Sequence, residues 1–277
     1  MRIELEKFLP VPKRPRNSHK GTFGKVLNIA GSKRFSGAAV LSSLAVLKTG
    51  AGYVTLACPE EIVSSVASYS PDITFFPLDF SVENNNFSEL ICSYDALSLG
   101  CGLTAELSVT NFVLSLLKEI QVPSVIDADA LNILADSEIK NFDFPAVMTP
   151  HPKELSRLMR VSIEDIQNNR EEYCVIAAKK YNAVCVLKGH NTVVSDGKDV
   201  YINTTGNSAL AKAGSGDVLT GIISGLAAQG CSMFQAAVLG VYLHGISGEL
   251  ASYDMTEYSV LASDLLKYIP FAIKKII

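Results

Sequence analysis

Short apolar segments alternate along the chain with longer segments whose apolar residues fall at helical spacing. Stretches such as 38–49 and 108–119 have the spacing of helices that bury one face. The short runs, which are typical of buried strands, are 25–31, 53–59, 96–100, 124–129, 146–152 and 183–189. This alternation predicts an α/β fold with a central, mainly parallel sheet covered by helices on both faces.

A different pattern occupies residues 191–206, "NTVVSDGKDVYINTTG". Two apolar runs flank Asp196-Gly197, a dipeptide that favours the tight turn of a β-hairpin. We therefore expect two antiparallel strands here. After Gly206 the pattern predicts helices, apart from short turns, to the end of the chain.

Length and composition are consistent with one domain over residues 1–277. The chain is 48% hydrophobic and 19% charged, and no long polar linker interrupts it, since "ENNNF" at 83–87 is only a predicted loop. Residues 1–20 combine charge with proline, and we expect them to form an N-terminal arm that lies over the domain.

Charge and cysteine usage narrow the classes of protein. The formal net charge of −4, without a basic stripe, argues against nucleic acid as the main partner. Neither a secretory signal nor an apolar run of the roughly 18 residues of a membrane span is visible. We expect a cytoplasmic protein with small-molecule partners. The cysteines, which form no Cys-x-x-Cys pair and are expected to be small core residues, are Cys58, Cys92, Cys101, Cys174, Cys185 and Cys231.

The segment "AGSGDVLTG" suggests an anion site. Gly214, Ser215 and Gly216 can turn tightly and present backbone N–H groups, and helical spacing begins at Val218. The loop would then lead into a helix N-terminus, where free amides and the helix dipole attract phosphate. The carboxylate of Asp217 has two interpretations, a helix cap or a functional group.

Two better-known phosphate loops do not match this segment. A P-loop requires lysine after the glycines, whereas Lys212 precedes them. A dinucleotide-binding fingerprint requires an acid about 20 residues further on, and that window has none.

Small or reactive residues follow most of the predicted strands. Because the carboxyl ends of parallel strands share one edge of a sheet, these residues should lie near each other. They are Gly31-Ser32, Gly100-Cys101-Gly102, Asp127, Asp129, His151 and Lys188-Gly189-His190. Taken singly, Asp127 and Asp129 could be turn or cap residues, His151 a rigid turn residue and Lys188 an exposed side chain. We expect His244, in an apolar helical segment, to be a core histidine.

Five motifs together resemble the ADP/ATP-dependent NAD(P)H-hydrate dehydratases of the ribokinase-like superfamily, over nearly the whole chain. They are "GSKRFSGAAVLSSLAVLKTGAGYVTLA" at 31–57, "DADALN" at 127–132, "TPHPKEL" at 149–155, "LKGHNTVV" at 187–194 and "NSALAKAGSGDVLTGIISGL" at 207–226. Kinases of the superfamily usually carry Asn-x-x-Glu where this chain has His151 to Glu154. One departure is Cys101, where the family usually has proline between two glycines.

The resemblance implies a ribokinase-like fold and an ADP- or ATP-dependent lyase that restores NADH or NADPH from its hydrated form, with Asp217 as the catalytic base. It implies that the hydrated cofactor contacts Ala39, Gly102, His151 and Asp217. Together with the anion loop, it implies nucleotide contacts from Lys188, Gly189, His190, Asn191, Thr192, Gly214, Ser215 and Gly216. Mg²⁺ would be held, through water, near Glu154 and Asp127.

The same resemblance implies a homotetramer, and ADP as the donor because no epimerase is fused to the chain. Two alternatives stay open. One is a kinase of the same fold that phosphorylates a vitamin or other small alcohol. The other is a nucleotide-binding protein without turnover, against which the carboxylate of Asp217 beside a phosphate site argues.

Overall fold

The computed structural model describes residues 2–81 and 87–277, in which the eight predicted strands and one further strand pair into one nine-stranded sheet. The strands are β1 (Lys25–Ile29), β2 (Tyr53–Cys58), β3 (Thr74–Pro77), β4 (Ala96–Leu99), β5 (Ser124–Ile126), β6 (Ala146–Met148), β7 (Val184–Leu187), β8 (Val193–Ser195) and β9 (Val200–Ile202). Their order is β3-β2-β1-β4-β5-β6-β7-β8-β9. All neighbours are parallel except that β8 is antiparallel to β7 and β9, which confirms the parallel sheet and the hairpin.

Helices cover both faces of this sheet. They are α1 (Ser36–Lys48), α2 (Glu60–Ala67), α3 (Phe87–Ile91), α4 (Leu107–Leu116), α5 (Ala128–Ala135), α6 (Pro152–Met159), α7 (Ile163–Asn168), α8 (Arg170–Tyr181), α9 (Ser215–Ala228), α10 (Met233–Asp254) and α11 (Ala262–Lys274). Alternate residues of β1 enter different cores: Val26 packs with α1, α9, α10 and α11, while Leu27 and Ile29 pack with α4, α5, α6 and α8. The two-sided α/β architecture is therefore confirmed.

Two details differ from the sequence-based expectation. The edge strand β3 was not predicted, because its sequence TFFP is short, ends in proline and is only half-buried. Helix α9 begins at Ser215 rather than at Val218, so Asp217 lies inside the first helical turn. Of the loop predicted at 83–87, residues 83–86 lie outside the described residues and Phe87 begins α3.

The N-terminal residues contact several elements of the α/β body. Ile3 N donates to Val200 O at 2.9 Å and Arg14 Nη1 donates to Gly50 O at 2.9 Å. Farther along, Gln235 Nε2 donates to Pro10 O at 3.2 Å. These hydrogen bonds tie the arm to β9, to the end of α1 and to the start of α10.

All six thiols are free, but they are not all core residues. Cys92 is exposed and Cys231 is half-buried, so the expectation of six buried cysteines is wrong for these two. Within residues 2–81 and 87–277, none of the helices combines the length and the apolar character that a membrane span requires.

Candidate active site

A buried ion pair joins residues that follow the carboxyl ends of β5 and β7, the two strands on either side of β6. Lys188 Nζ is 2.7 Å from Asp127 Oδ1, and the Thr220 hydroxyl of α9 donates to Asp127 Oδ2 at 2.6 Å. The side chain of Lys188 is only 19% exposed, so the interpretation of Lys188 as a surface side chain is wrong. Asp127 stands at the N-cap position of α5 but makes no cap hydrogen bond through its side chain. The cap interpretation of Asp127 is also wrong.

Each member of this pair keeps the other charged. Burial disfavours both charges, but Lys188 and Thr220 outweigh it and lower the pKa of Asp127. Likewise, Asp127 and Glu154 outweigh burial and raise the pKa of Lys188. The result is a fixed ammonium group beside the start of α9, where Lys188 Nζ lies 3.5 Å from the position that a Cβ on Gly216 would occupy.

The predicted anion loop forms the N-terminus of α9. Gly214 is the N-cap residue with φ of 91°, and a Cβ there would lie 2.6 Å from Leu41 Cδ1, so the turn requires glycine. No side chain caps the helix, which contradicts the interpretation of Asp217 as its cap. Ser215 N donates to Lys212 O at 3.2 Å, but the amides of Gly216 and Asp217 have no intrahelical acceptor and, with the helix dipole, favour an anion.

Asp217 has the electrostatics of a proton acceptor. Burial, followed by the nearby charge of Asp127, raises the pKa of Asp217 from its usual 3.8 to about 6. The nearby Cys101 thiol and the charge of Lys188 oppose this rise. A carboxylate whose pKa is close to neutral pH is ionised yet basic enough to accept a proton from a substrate hydroxyl.

His151 begins α6 and is held in a capping box. Its Nδ1 accepts from Lys153 N at 3.1 Å and from Glu154 N at 3.2 Å. In return, Glu154 Oε2 accepts from His151 N at 2.7 Å. The imidazole therefore caps α6 and is not only part of a rigid turn. The side chain is 46% exposed. Partial burial, followed by the charge of Lys188, lowers the pKa of His151.

The predicted magnesium residues do not form a direct metal site. Lys188 Nζ lies 2.7 Å from Asp127 Oδ1 and 3.9 Å from Glu154 Oε2, so an ammonium group already occupies the space beside both carboxylates. Burial raises the pKa of Glu154 to about 7, which weakens it further as a metal ligand. The described part of the chain holds no group of three or more His, Cys, Asp or Glu side chains that could bind a metal ion. Magnesium held through water stays a prediction.

A cavity of about 780 Å³ opens beside α9, within the size range of small-molecule sites. The predicted nucleotide residues that line it are Lys188, Gly189, His190, Asn191, Thr192, Ser215 and Gly216, with Gly214 just behind them. His151 also lines it. The sequence interpretation missed the far wall, which includes Asn203, Thr204, Thr205, Gly206, Asn207, Ser208, His244 and Gly245. The small polar run "NTTGNS" was the available signal for most of this wall.

The remaining substrate residues lie nearer the other half of the sheet edge. Gly102 follows β4 with φ of 66°, and a Cβ there would lie 2.8 Å from the Cβ atoms of Phe35 and Ala38. A second cavity, of about 1030 Å³, is lined in part by Leu103, the residue directly after Gly102. Ala39 is fully buried in α1, and its side chain lines neither this cavity nor the one beside α9.

The sheet order, the glycine loop leading into α9 and the acid in its first turn are those of a ribokinase-like protein. A ribokinase-like superfamily protein from Enterococcus faecalis has the same fold, with a TM-score of 0.87 at 26% identity over 99% of this chain and 95% of its own.

The comparison with known families is more specific. The sequence profile of the NAD(P)H-hydrate dehydratases matches residues 26–271, and the chain belongs to this family. It is 40% identical, over 96% of its length, to the bifunctional NAD(P)H-hydrate repair enzyme Nnr of Moorella thermoacetica, of which it spans 52%. The chain thus spans about half the length of the bifunctional relatives it matches.

A solved relative is similar over its whole length. The ADP/ATP-dependent NAD(P)H-hydrate dehydratase from Bacillus subtilis, co-crystallised with ATP and Mg²⁺, superposes with a TM-score of 0.87 at 32% identity, covering 99% of this chain and 98% of that one.

Proposed function

We propose that this protein removes the C6 hydroxyl of hydrated NADH or NADPH as phosphate, with ADP or ATP as the phosphoryl donor. The observation that carries the proposal is the placement of Asp217. Its buried carboxylate, with a pKa near 6, stands at the uncapped start of α9, beside a cavity of nucleotide size. Family membership supports the choice of substrate.

The reaction has two steps. Asp217 takes the proton of the C6 hydroxyl while that oxygen attacks the terminal phosphoryl group, so the new P–O bond forms as the donor's bridging P–O bond breaks. The lone pair of the ring nitrogen then expels the C6 oxygen as part of phosphate, and loss of a proton from C5 to the departing phosphate forms the C5=C6 double bond of NAD(P)H. Phosphate is a far better leaving group than hydroxide.

The surrounding residues hold charge and orientation. The amides of Gly216 and Asp217 at the start of α9 and the ammonium of Lys188 face the phosphate oxygens, whose negative charge they stabilise in the transition state. His151, whose Nδ1 is engaged in the helix cap and whose Nε2 lies 3.3 Å from Glu154 Oε1, can present the half-exposed edge of its ring to the substrate. No step is assigned to a metal ion, because the ammonium group of Lys188 already lies beside Asp127 and near Glu154.

The test is turnover of hydrated NADH with ADP, with ATP and without nucleotide, in the presence of Mg²⁺. We expect the near-ultraviolet absorbance of NADH to appear only with nucleotide, together with one phosphate per NADH. A kinase of the same fold would consume the donor and leave a stable phosphorylated product without NADH. A nucleotide-binding protein without turnover would do neither, and either result would reject the proposal.

Donor length, assembly and location belong to the same proposal. We propose that ADP is preferred, because the residues from Lys188 to Thr192 fix the nucleotide while the terminal phosphoryl group must reach Asp217. Comparable kcat/KM for ADP and ATP would reject this length dependence.

The homotetramer, testable by light scattering, and the cytoplasmic location are likewise proposed from the resemblance to the family.

A further inference from the structure

His244 is a buried histidine that the proposed reaction does not use. It lies in the middle of α10, is 8% exposed and was expected to be a core residue. The structure agrees that it is buried, yet it also lines the nucleotide cavity. Its Nε2 is 3.0 Å from the hydroxyl oxygen of Ser215, the first residue of α9.

The direction of this hydrogen bond decides what Ser215 can do. If Nε2 accepts, the Ser215 hydroxyl proton points at the imidazole, and only oxygen lone pairs face the cavity. If Nε2 carries the proton and donates, the hydroxyl proton of Ser215 is free for another acceptor. Only the second arrangement suits a phosphate group, because phosphate oxygens are acceptors.

The surroundings favour donation by His244. Burial lowers the pKa of His244 to about 4, so the ring is neutral and has one N–H to place. Because the ring is neutral and the Ser215 hydroxyl oxygen lies 3.0 Å from Nε2, donation from Nε2 leaves the hydroxyl proton free for the anion that the helix N-terminus favours. Ser215 itself is 4% exposed and lines the cavity.

We propose that His244 is a positioning residue that donates from Nε2 to Ser215 and thereby directs the Ser215 hydroxyl proton at a phosphate oxygen of the bound nucleotide. The inference rests on the proposed function only in taking the cavity as the nucleotide site. It adds a side-chain donor to the backbone amides of the anion loop. It also gives α10, which otherwise packs in the core, a part in nucleotide binding.

The first test is nitrogen NMR of the histidine side chains, which distinguishes the two neutral tautomers. The chain has four histidines, so a His244→Gln variant assigns the signal by its loss. We expect His244 to be the Nε2–H tautomer and to stay neutral at pH 6. The Nδ1–H tautomer would overturn the inference, whatever the activity of the protein.

The second test is a double-mutant cycle on ADP affinity, measured by calorimetry. Ser215→Ala and His244→Leu should each weaken ADP binding by about tenfold or more, as expected for a lost hydrogen bond to a charged group. The double variant should bind no more weakly than Ser215→Ala, because His244 acts through that hydroxyl. Multiplying losses would show that the two residues act independently and would overturn the inference.

Two further variants separate positioning from folding. His244→Gln keeps a donor near the place of Nε2 and should retain ADP affinity within about threefold of the unmodified protein. Ser224→Ala removes another buried hydroxyl of α9, one that donates within the helix to Thr220 O, and should leave ADP affinity unchanged. If His244→Gln loses as much affinity as His244→Leu, the donor role is wrong.

The outcomes also separate this inference from the proposed function. Tight ADP binding without release of NADH would reject the proposed function and leave the role of His244 intact. Failure of the unmodified protein to bind ADP or ATP would overturn both.

Discussion

Replacing Asp217 by asparagine should stabilise the protein while it abolishes turnover. Asp217 has its pKa raised from 3.8 to about 6, first by burial and then by Asp127. The folded state therefore holds the proton more tightly than the unfolded chain does. The contribution of protonated Asp217 to the free energy of unfolding is fully present below pH about 4. It decreases as the pH rises through about 6 and does not change further above that.

The size of the effect follows from the same shift. About 2 pKa units at about 1.4 kcal/mol each make the ionised carboxylate unfavourable by up to about 3 kcal/mol at pH 8. Asp217→Asn removes that charge and, since Gly214 is the N-cap residue, no cap is lost. We expect a Tm several degrees higher at pH 8, no gain near pH 4, and kcat lower by about 10² to 10⁴.

The matched control is Asp127→Asn, the neighbouring buried carboxylate. Its pKa is lowered, because the salt bridge with Lys188 outweighs burial, so its replacement should destabilise the protein at pH 8. The assays are thermal unfolding at both pH values and NADH release from the hydrate at saturating nucleotide. Loss of stability in Asp217→Asn at pH 8, or kcat within a few-fold of the unmodified protein, would refute the assignment of Asp217 as a buried base.

Three other changes test separate parts of the site. His151→Asn keeps a side chain that can cap α6 but removes the imidazole. We expect an unchanged Tm, a higher KM for hydrated NADH and unchanged ADP affinity. Equal losses of affinity for both ligands, measured by calorimetry, would contradict a role of His151 in binding the hydrated cofactor. Lys188→Met leaves Asp127 buried and unpaired, so urea unfolding should show a loss of about 3–5 kcal/mol together with weaker ADP binding. Finally, kcat/KM should fall as the pH drops below about 6, where Asp217 takes up a proton; a flat profile between pH 5 and about 8 would contradict it.

Much of the fold could be predicted because its strands are buried on both faces. Runs such as 25–31 are mostly apolar, and the small or reactive residues after them mark the carboxyl edge of a parallel sheet. The edge strand β3 lacks this signal, since half-buried edge residues do not form a continuous apolar run. The start of α9 was misplaced because its first turn, Ser-Gly-Asp, contains no apolar residue.

The residues of the site could be placed at one edge, but their pairing could not be predicted. Lys188 and Asp127 are 61 positions apart, and only the order of β5, β6 and β7 brings them to 2.7 Å. The hydrophobic pattern around His244 is the same whether the histidine is packed in the core or hydrogen-bonded to a loop. Its contact with Ser215 depends on how α10 packs against α9, which one chain's periodicity does not specify.

The path of one oxygen atom tests the central claim most directly. Hydrated NADH carrying heavy oxygen in its C6 hydroxyl is converted with unlabelled ADP, and the phosphate and water are analysed by mass spectrometry. If the hydroxyl oxygen attacks the phosphoryl group and leaves as phosphate, each phosphate produced with NADH carries one heavy oxygen. Unlabelled phosphate, with the heavy oxygen in water, would show that the hydroxyl leaves without being phosphorylated and would contradict the account.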